Sequence, residues 1–168
     1  LYELGHAGQF RAAVSHSSDG REDNLRSAVK CKPDMDDDAM CVLHDRLDAV
    51  RLQLGPMLGQ PLSPGIEATY VVYPEGGYYK RHIDGVVGDP QGSGRRCVSF
   101  ICYLNEPGWT AKDGGALRVY DDADCERLCA YDLLPESGSL VLFDSKRVWH
   151  EVLPTRRERP CLVGWFWG

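Results

Sequence analysis

The chain has 168 residues, 43% of them hydrophobic and 26% charged, with a formal net charge of −6 at pH 7. This is the make-up of an ordinary globular domain, long enough to bury one real core. It excludes a membrane-spanning helix, because no apolar run approaches ~20 residues, and it argues against a surface that attracts nucleic acid everywhere.

The charge is nonetheless uneven. Acids cluster at 34–40 and 120–126, and bases at 79–81, 94–96 and 155–159. The opening LYELGHAGQF shows neither a secretory signal nor an initiating Met, so the native chain is expected to extend further N-terminally. The 7 Cys, at 31, 41, 97, 102, 125, 129 and 161, form no regular framework. Cys125 and Cys129 are spaced for one helical turn, but no second Cys/His pair completes a zinc site. All seven read as free thiols in a reducing compartment, the cytoplasm or nucleus.

In chain order, residues 1–8 read as the end of a helix. Residues 11–32 hold the turn-rich SHSSDGREDN between two short strand-like pieces, an extended hairpin or loop. The run DMDDDAMCVLHDRLDAVRLQLGPML then sets apolar residues at 40, 42, 43, 47, 50, 52 and 54 behind a group of acids, which suits a helix N-terminus. Gly55-Pro56 is expected to end that helix, and His44 within it reads as surface or core. The first third is thus expected to be helical. After SPG at 63–65, strand-like runs recur at 68–73, 78–83, 97–104, 116–120, 139–143, 149–153 and 161–167, with another near 131–134. PEGG, GDPQGSG, KDGG and PESG separate them. About eight strands is the count of a jelly roll. The expected fold is mainly β with flanking helices, a cupin-like double-stranded β-helix.

His82 and Asp84 sit two apart near a strand end, where the strand period of two points both to one face. Alone the pair says little; a chain of this composition shows one by chance about half the time. It gains weight from His150, in RVWHEV. Two imidazoles and one carboxylate on one side of a divalent ion hold it without saturating it. Arg159 lies at the entry to the last strand, where its side chain would point into the barrel. An arginine in an apolar interior needs an anionic partner. Few acids are nearby, so a small-molecule carboxylate is the natural candidate.

The run YPEGGYYKRHIDG…GRRCVSFICYLNEPGWTAKDGGALRVY…WHEVLPTRRERPCLVGWFW resembles the 2-oxoglutarate- and iron(II)-dependent prolyl hydroxylases. It is most similar to the branch of the hypoxia-inducible-factor prolyl hydroxylases and their bacterial and protist relatives. The resemblance implies that His82, Asp84 and His150 bind iron and carry catalysis. It implies that Arg159 and Tyr103 hold the far carboxylate of 2-oxoglutarate. Tyr73 lies near the metal, Ser99, Ile101, Leu117 and Val152 pack around the cosubstrate, and Arg96 and Trp165 stand at the substrate entrance. The implied cosubstrates are Fe(II), 2-oxoglutarate and O2, with ascorbate as a further ligand, and the implied substrate is a proline-containing protein or peptide. No nucleic acid or membrane partner and a monomeric state are expected. A single domain over 1–168 follows, with 1–65 as helical support and substrate-covering loop and 66–168 as the barrel. The loop after Asp84 is longer than in the animal enzymes and the one between Tyr120 and Tyr131 is shorter. Lys80, Arg81, Arg95 and Arg96 read as a solvated rim or as a grip on an acidic or extended peptide. The alternatives are the same chemistry on a free amino acid, a small molecule or another peptide residue, a nucleic-acid demethylase, and a non-catalytic barrel.

Overall fold

A computed structural model describes residues 10–13, 15–16, 22–85, 95–120 and 130–168. The expectations for 1–8, for Cys125 and Cys129, and for most of the loop after Asp84 lie outside the described residues. Five short strands come first: β1 (Arg11–Ala12), β2 (Ser15–His16), β3 (Glu22–Asp23), β4 (Arg26–Ser27) and β5 (Val29–Cys31). β2 and β3 pair antiparallel with Ser15 opposite Asp23, the hairpin that the turn-rich stretch suggests. The first third is therefore less helical than expected. Among the described residues it contains one α-helix, α1 (Asp38–Leu58).

Asp37 caps α1 by accepting the Met40 N–H at 2.9 Å, and Asp38 lies in the first turn. Contrary to expectation, Gly55-Pro56 does not end the helix. Proline removes one intrahelical donor, but in the last turn that loss is small. Gly59, at φ 68°, closes the helix instead, its N–H donating to Pro56 O at 3.2 Å while Gln60 N–H donates to Gly55 O at 3.2 Å. Met40, Leu43, Leu47, Val50 and Leu54 turn toward the sheet, whereas Val42 and Leu52 are exposed. Arg51 is buried; it donates to Asp48 Oδ1 and to Leu62 O, each at 2.7 Å, and so ties the helix to the chain entering the barrel.

The eight strand-like runs all form strands: β6 (Ile66–Tyr73), β7 (Tyr78–His82), β8 (Arg96–Tyr103), β9 (Leu117–Tyr120), β10 (Ala130–Leu133), β11 (Leu140–Asp144), β12 (Trp149–Val152) and β13 (Arg159–Trp167). A six-stranded sheet has the order β1-β5-β6-β13-β8-β11, and a five-stranded sheet the order β10-β9-β12-β7-β4. Every pairing is antiparallel. This is the mainly-β, jelly-roll architecture expected. No described helix is long and apolar enough to cross a membrane.

The larger sheet is buried on both faces, which explains its near-continuous apolar strands. Even-numbered residues of β6, β8 and β13 (Tyr70, Val72, Phe100, Cys102, Leu162, Phe166) meet α1 in one core. Odd-numbered residues (Val71, Tyr73, Ile101, Tyr103, Cys161) face the smaller sheet, where Leu117 and Val152 complete a second core. Register stacks the odd residues in rungs: Arg159 opposite Tyr73, Cys161 between Val71 and Tyr103, Val163 between Thr69 and Ile101, Trp165 between Glu67 and Ser99.

Gly164 lies opposite Phe100 on the α1 side, and a Cβ there would run into the Glu67 carbonyl and the Phe100 ring. Gly164→Ala is expected to destabilise by about 3 kcal/mol, because a clash on a central strand forces backbone movement. Gly65→Ala, with open space around it, is expected to be within about 0.5 kcal/mol of the parent. Urea unfolding of the two variants checks this; equal midpoints would contradict the packing described.

Candidate active site

The sequence places a donor at the end of one strand, a second in the bend after it, and a third on a neighbouring strand. His82 is the last residue of β7, and Asp84 lies just beyond, not on the strand itself. The common strand face expected for the pair is therefore not what brings them together. The bend is pinned by Gly85 N–H donating to Ser145 O at 2.7 Å. β12 pairs with β7 so that His150 stands directly opposite His82. One ligand atom from each of His82, Asp84 and His150 lies within 4.8 Å of the others, an arrangement that can hold a metal ion. Asp84 Oδ1 is 3.4 Å from His82 Nε2 and 3.8 Å from His150 Nε2.

The surroundings aim these atoms. His82 Nδ1 is 2.8 Å from Lys80 O and His150 Nδ1 is 3.1 Å from Val148 O. A carbonyl only accepts, so each Nδ1 carries a proton and each Nε2 is the ring atom turned toward the other donors. Burial first, then the facing His82, push the His150 imidazole down to about 4, so it is neutral at pH 7. For Asp84, burial works upward. The His82 contact, the facing His150 and the Ser99 hydroxyl outweigh it, and the net shift is downward. Ser99 Oγ donates to Asp84 Oδ2 at 2.7 Å and also meets Ser145 Oγ at 2.9 Å. Trp165 Nε1 donates to the same Oδ2 at 3.0 Å. One carboxylate oxygen is thus engaged by two donors while the other faces the histidines.

Tyr79 stacks on His82 with ring centroids 3.6 Å apart, and Phe143 lies 4.6 Å from the His150 ring. A cavity of about 230 Å³ opens here, lined among others by Tyr73, Ile101, Val152, Val163, Arg96 and Trp165. A larger groove of about 650 Å³ adjoins it, sharing Glu67, Thr69 and Arg96, and extends between α1 and β6. That groove holds His44, which is half-exposed, lies 4.0 Å from Asp45 Oδ1 and belongs to no three-residue metal-binding group among the described residues, in keeping with its reading as surface or core.

Deep in the same barrel, Arg159 is fully buried. Gly115, at φ +67°, makes room for it; a Cβ there would come within 2.9 Å of Arg159 Cδ. The guanidinium carbon lies 5.1 Å from the Tyr73 ring centroid and 5.0 Å from that of Tyr103. Its Nη1 makes a weak polar contact to Cys161 Sγ at 3.6 Å. Arg159 Nε and Nη2 and the Tyr103 hydroxyl have no hydrogen-bond partner among the described residues. Burial pushes the Tyr103 phenol up to about 12, so it remains a donor. Three buried donors converge with no acceptor. Such groups are costly unless a ligand completes them, and a carboxylate has the complementary lone pairs.

Two expected residues have environments the sequence did not indicate. Ser99 touches Asp84 rather than a packing surface alone. Trp165 also bonds Asp84, and Arg96 stacks over Trp165 at 3.6 Å while forming a two-pronged ion pair with Glu67 at 2.6 and 3.1 Å. Leu117 is core. Ser145 and Glu67 were missed; both are common residue types, and only the register β11–β8 and β6–β13 reveals them.

The 2OG-Fe(II) oxygenase superfamily model matches residues 68–167. A Pseudomonas putida prolyl-4-hydroxylase structure is 35% identical, with a TM-score of 0.74, covering 92% of this chain and 76% of that one. A Trichoplax adhaerens prolyl hydroxylase, solved with a hypoxia-inducible-factor peptide fragment, is 26% identical, with a TM-score of 0.76, covering 93% and 70%. The Caenorhabditis elegans hypoxia-inducible factor prolyl hydroxylase is 31% identical over 74% of this chain, and human prolyl hydroxylase EGLN3 is 32% identical over 77%. The chain spans only 16% and 52% of the length of those two relatives. A family match over most of the barrel, with the donor set and the buried arginine in place, makes this chain a member of the 2-oxoglutarate- and Fe(II)-dependent oxygenase superfamily, in its prolyl-hydroxylase branch.

Proposed function

We propose that this protein hydroxylates a prolyl residue of a protein or peptide at C4, consuming 2-oxoglutarate and O2. The observation that carries the reading is the pairing of a His82–Asp84–His150 donor set with an orphaned buried guanidinium, Arg159, in one barrel. The donor set fits Fe(II): two neutral nitrogens and one anionic oxygen, grouped on one side. The orphaned donors fit a carboxylate. His82 Nε2, His150 Nε2 and Asp84 Oδ1 would hold the metal, and Arg159 with Tyr103 would hold the far carboxylate of 2-oxoglutarate. When bound, these supply an oxidant for an unactivated C–H bond, with one atom of O2 leaving as substrate hydroxyl, the other in succinate, and CO2 released.

The chain's own residues do the rest. Ser99 and Trp165 keep Asp84 Oδ2 occupied, so Oδ1 is the oxygen presented to the metal. Ile101, Val152 and Val163 give the cavity apolar walls, which limit water around the reacting centre. The Tyr73 ring, its centroid 5.1 Å from the Arg159 guanidinium carbon, helps confine that group. Arg96 and Trp165 stand together at the opening. The reading keeps the chain a single-domain monomer of the cytoplasm or nucleus, without a nucleic-acid partner; the net charge of −6 supports the last point. The likeness to oxygen-sensing relatives supports an oxygen-responsive role.

The test is to incubate the iron-loaded protein with proline-containing peptides and 2-oxoglutarate. One added oxygen on proline is expected, with one succinate per hydroxyl by mass spectrometry. Succinate coupled to a free amino acid, or oxygen on another residue, would overturn the prolyl assignment while keeping the chemistry.

Two variants probe the site itself. Trp165→Phe is expected to lower metal affinity by about 10-fold, because it removes one of the two donors that fix Asp84 Oδ2. Competitive Co(II) titration measures this, and unchanged affinity would remove Trp165 from the site. Arg159→Met is expected to weaken 2-oxoglutarate binding by at least about 10-fold. It should leave the ligand-free protein as stable or more so, since it relieves an unpaired buried charge. Calorimetric titration and thermal unfolding report the two effects separately.

A further inference from the structure

Not all the basic residues near the opening are available to a partner. Arg96 is committed to Glu67, and Arg81 stacks on Tyr120 and Trp149, 4.2 and 5.3 Å from their ring centroids. Two other cations line the same cavity as the metal donors, Arg26 and Lys30. They belong to the segment that crosses from one sheet to the other. Arg26 is on β4, opposite Tyr79 in the smaller sheet, and Lys30 is on β5, opposite Val71 in the larger one. Residues 27 to 29 join the two strands, with one cation on each flank.

Lys30 occupies a place where lysine is unexpected. Its partner Val71 is an inward-facing position of the second core. Among the described residues, Lys30 makes no ion pair within 4.0 Å. Burial first, and then Arg26 and Arg96, lower its pKa, with Glu67 in partial opposition. Arg26 is held in place: Nε donates to Ala13 O at 3.0 Å, and the guanidinium carbon lies 4.7 Å over the Tyr79 ring. That bond uses one of its five N–H groups. Tyr79 in turn stacks on His82, so Arg26 is fixed at one ring's remove from the proposed metal.

The charges of the filled site can be summed from their chemistry. Fe(II) and Asp84 leave +1. The two carboxylates of 2-oxoglutarate and Arg159 leave −1. Glu67 cancels Arg96. What remains among the described residues lining the cavity is Arg26 and Lys30, a surplus of +2 in a chain whose net charge is −6. From this surplus we infer that Arg26 and Lys30 form a carboxylate-recognition subsite for the substrate: the peptide carries an Asp or Glu close to the residue that reacts. Such an acid would place its charge between two partly desolvated cations, where screening by water is weaker than at an open surface. Lys30 and Arg26 are specificity-determining residues in this role and do not touch the reacting atoms.

The inference rests on the peptide-hydroxylase reading, so its test reads binding rather than turnover. The full chain is loaded with Mn(II) and 2-oxoglutarate without oxygen. Fluorescein-labelled peptides with a central Pro and one adjacent Asp are compared by anisotropy with the Asn version, and with versions of both in which Pro is replaced by Ala. The Asp peptide is expected to bind roughly 10-fold tighter than its Asn counterpart at low salt, with the gap narrowing at high salt. Lys30→Met should remove most of that gap, Lys30→Arg should keep it, and Lys30→Glu should reverse it toward a peptide carrying Lys. Lys112→Gln, an equal charge change on the Ala111–Asp113 turn, should leave it intact. 2-Oxoglutarate affinity should be unchanged in Lys30→Met; a loss as large as that of Arg159→Met would assign Lys30 to the cosubstrate and overturn the inference. Equal binding of Asp and Asn peptides, or tighter binding of a single-stranded oligonucleotide than of either, would also overturn it. An Asp preference that persists in the Pro-free peptides supports the subsite even if the hydroxylated residue proves not to be proline. Hydroxylation of proline with no Asp preference sinks the subsite alone.

Discussion

A guanidinium in the middle of a protein, with no carboxylate paired to it among the described residues, is the constraint around which this barrel is arranged. Arg159 is fully buried, and two of its nitrogens lack a partner among the described residues. Leaving a charge so desolvated costs several kcal/mol, and the surrounding residues make sense as consequences. Tyr73 and Tyr103 offer it ring faces. Gly115 vacates the space its methylenes need. Tyr103 adds a third donor without a partner among the described residues. The proposed dicarboxylic cosubstrate would supply the acceptor that these groups lack.

The sheet register then links that constraint to the metal. Arg159, Cys161, Val163 and Trp165 succeed one another along one face of β13. The first would grip a carboxylate, and the last donates to Asp84, the carboxylate of the candidate metal triad. The other face of the same strand carries Leu162, Gly164 and Phe166 into the core beneath α1. Packing against the helix and chemistry in the barrel are therefore set by alternate residues of a single strand. A substitution on the helix side can disturb the site without touching it.

Much of this is legible in the sequence, and the reason is periodicity. All eight strands announce themselves by apolar runs between glycine-rich turns. His150 and Arg159 stand out because a histidine and an arginine are unusual within such runs. The first third was harder to read. Its strands are two or three residues long and paired to distant partners, as β4 to β7 and β5 to β6, so local pattern carries no signal for them. Pro56 misled because a proline's cost depends on how far it lies from the helix end. The partners of Asp84 were hidden for another reason. Ser99, Ser145 and Trp165 come from three strands, and no spacing within the chain relates them. Arg26 and Lys30 escaped notice because they lie in the short-stranded region, while the more conspicuous Arg81 and Arg96 proved to be occupied.

The rungs of β13 also act as a coupling. Arg159 and Trp165 are six residues apart on one face of the strand. Both are held in register by β6, and Trp165 by β8 as well, so neither can shift along the barrel without the other. A one-residue slip of β13 would turn Arg159 out toward α1 and Trp165 away from Asp84 in the same stroke, because side chains alternate faces. The two ends of the proposed site therefore stand or fall together.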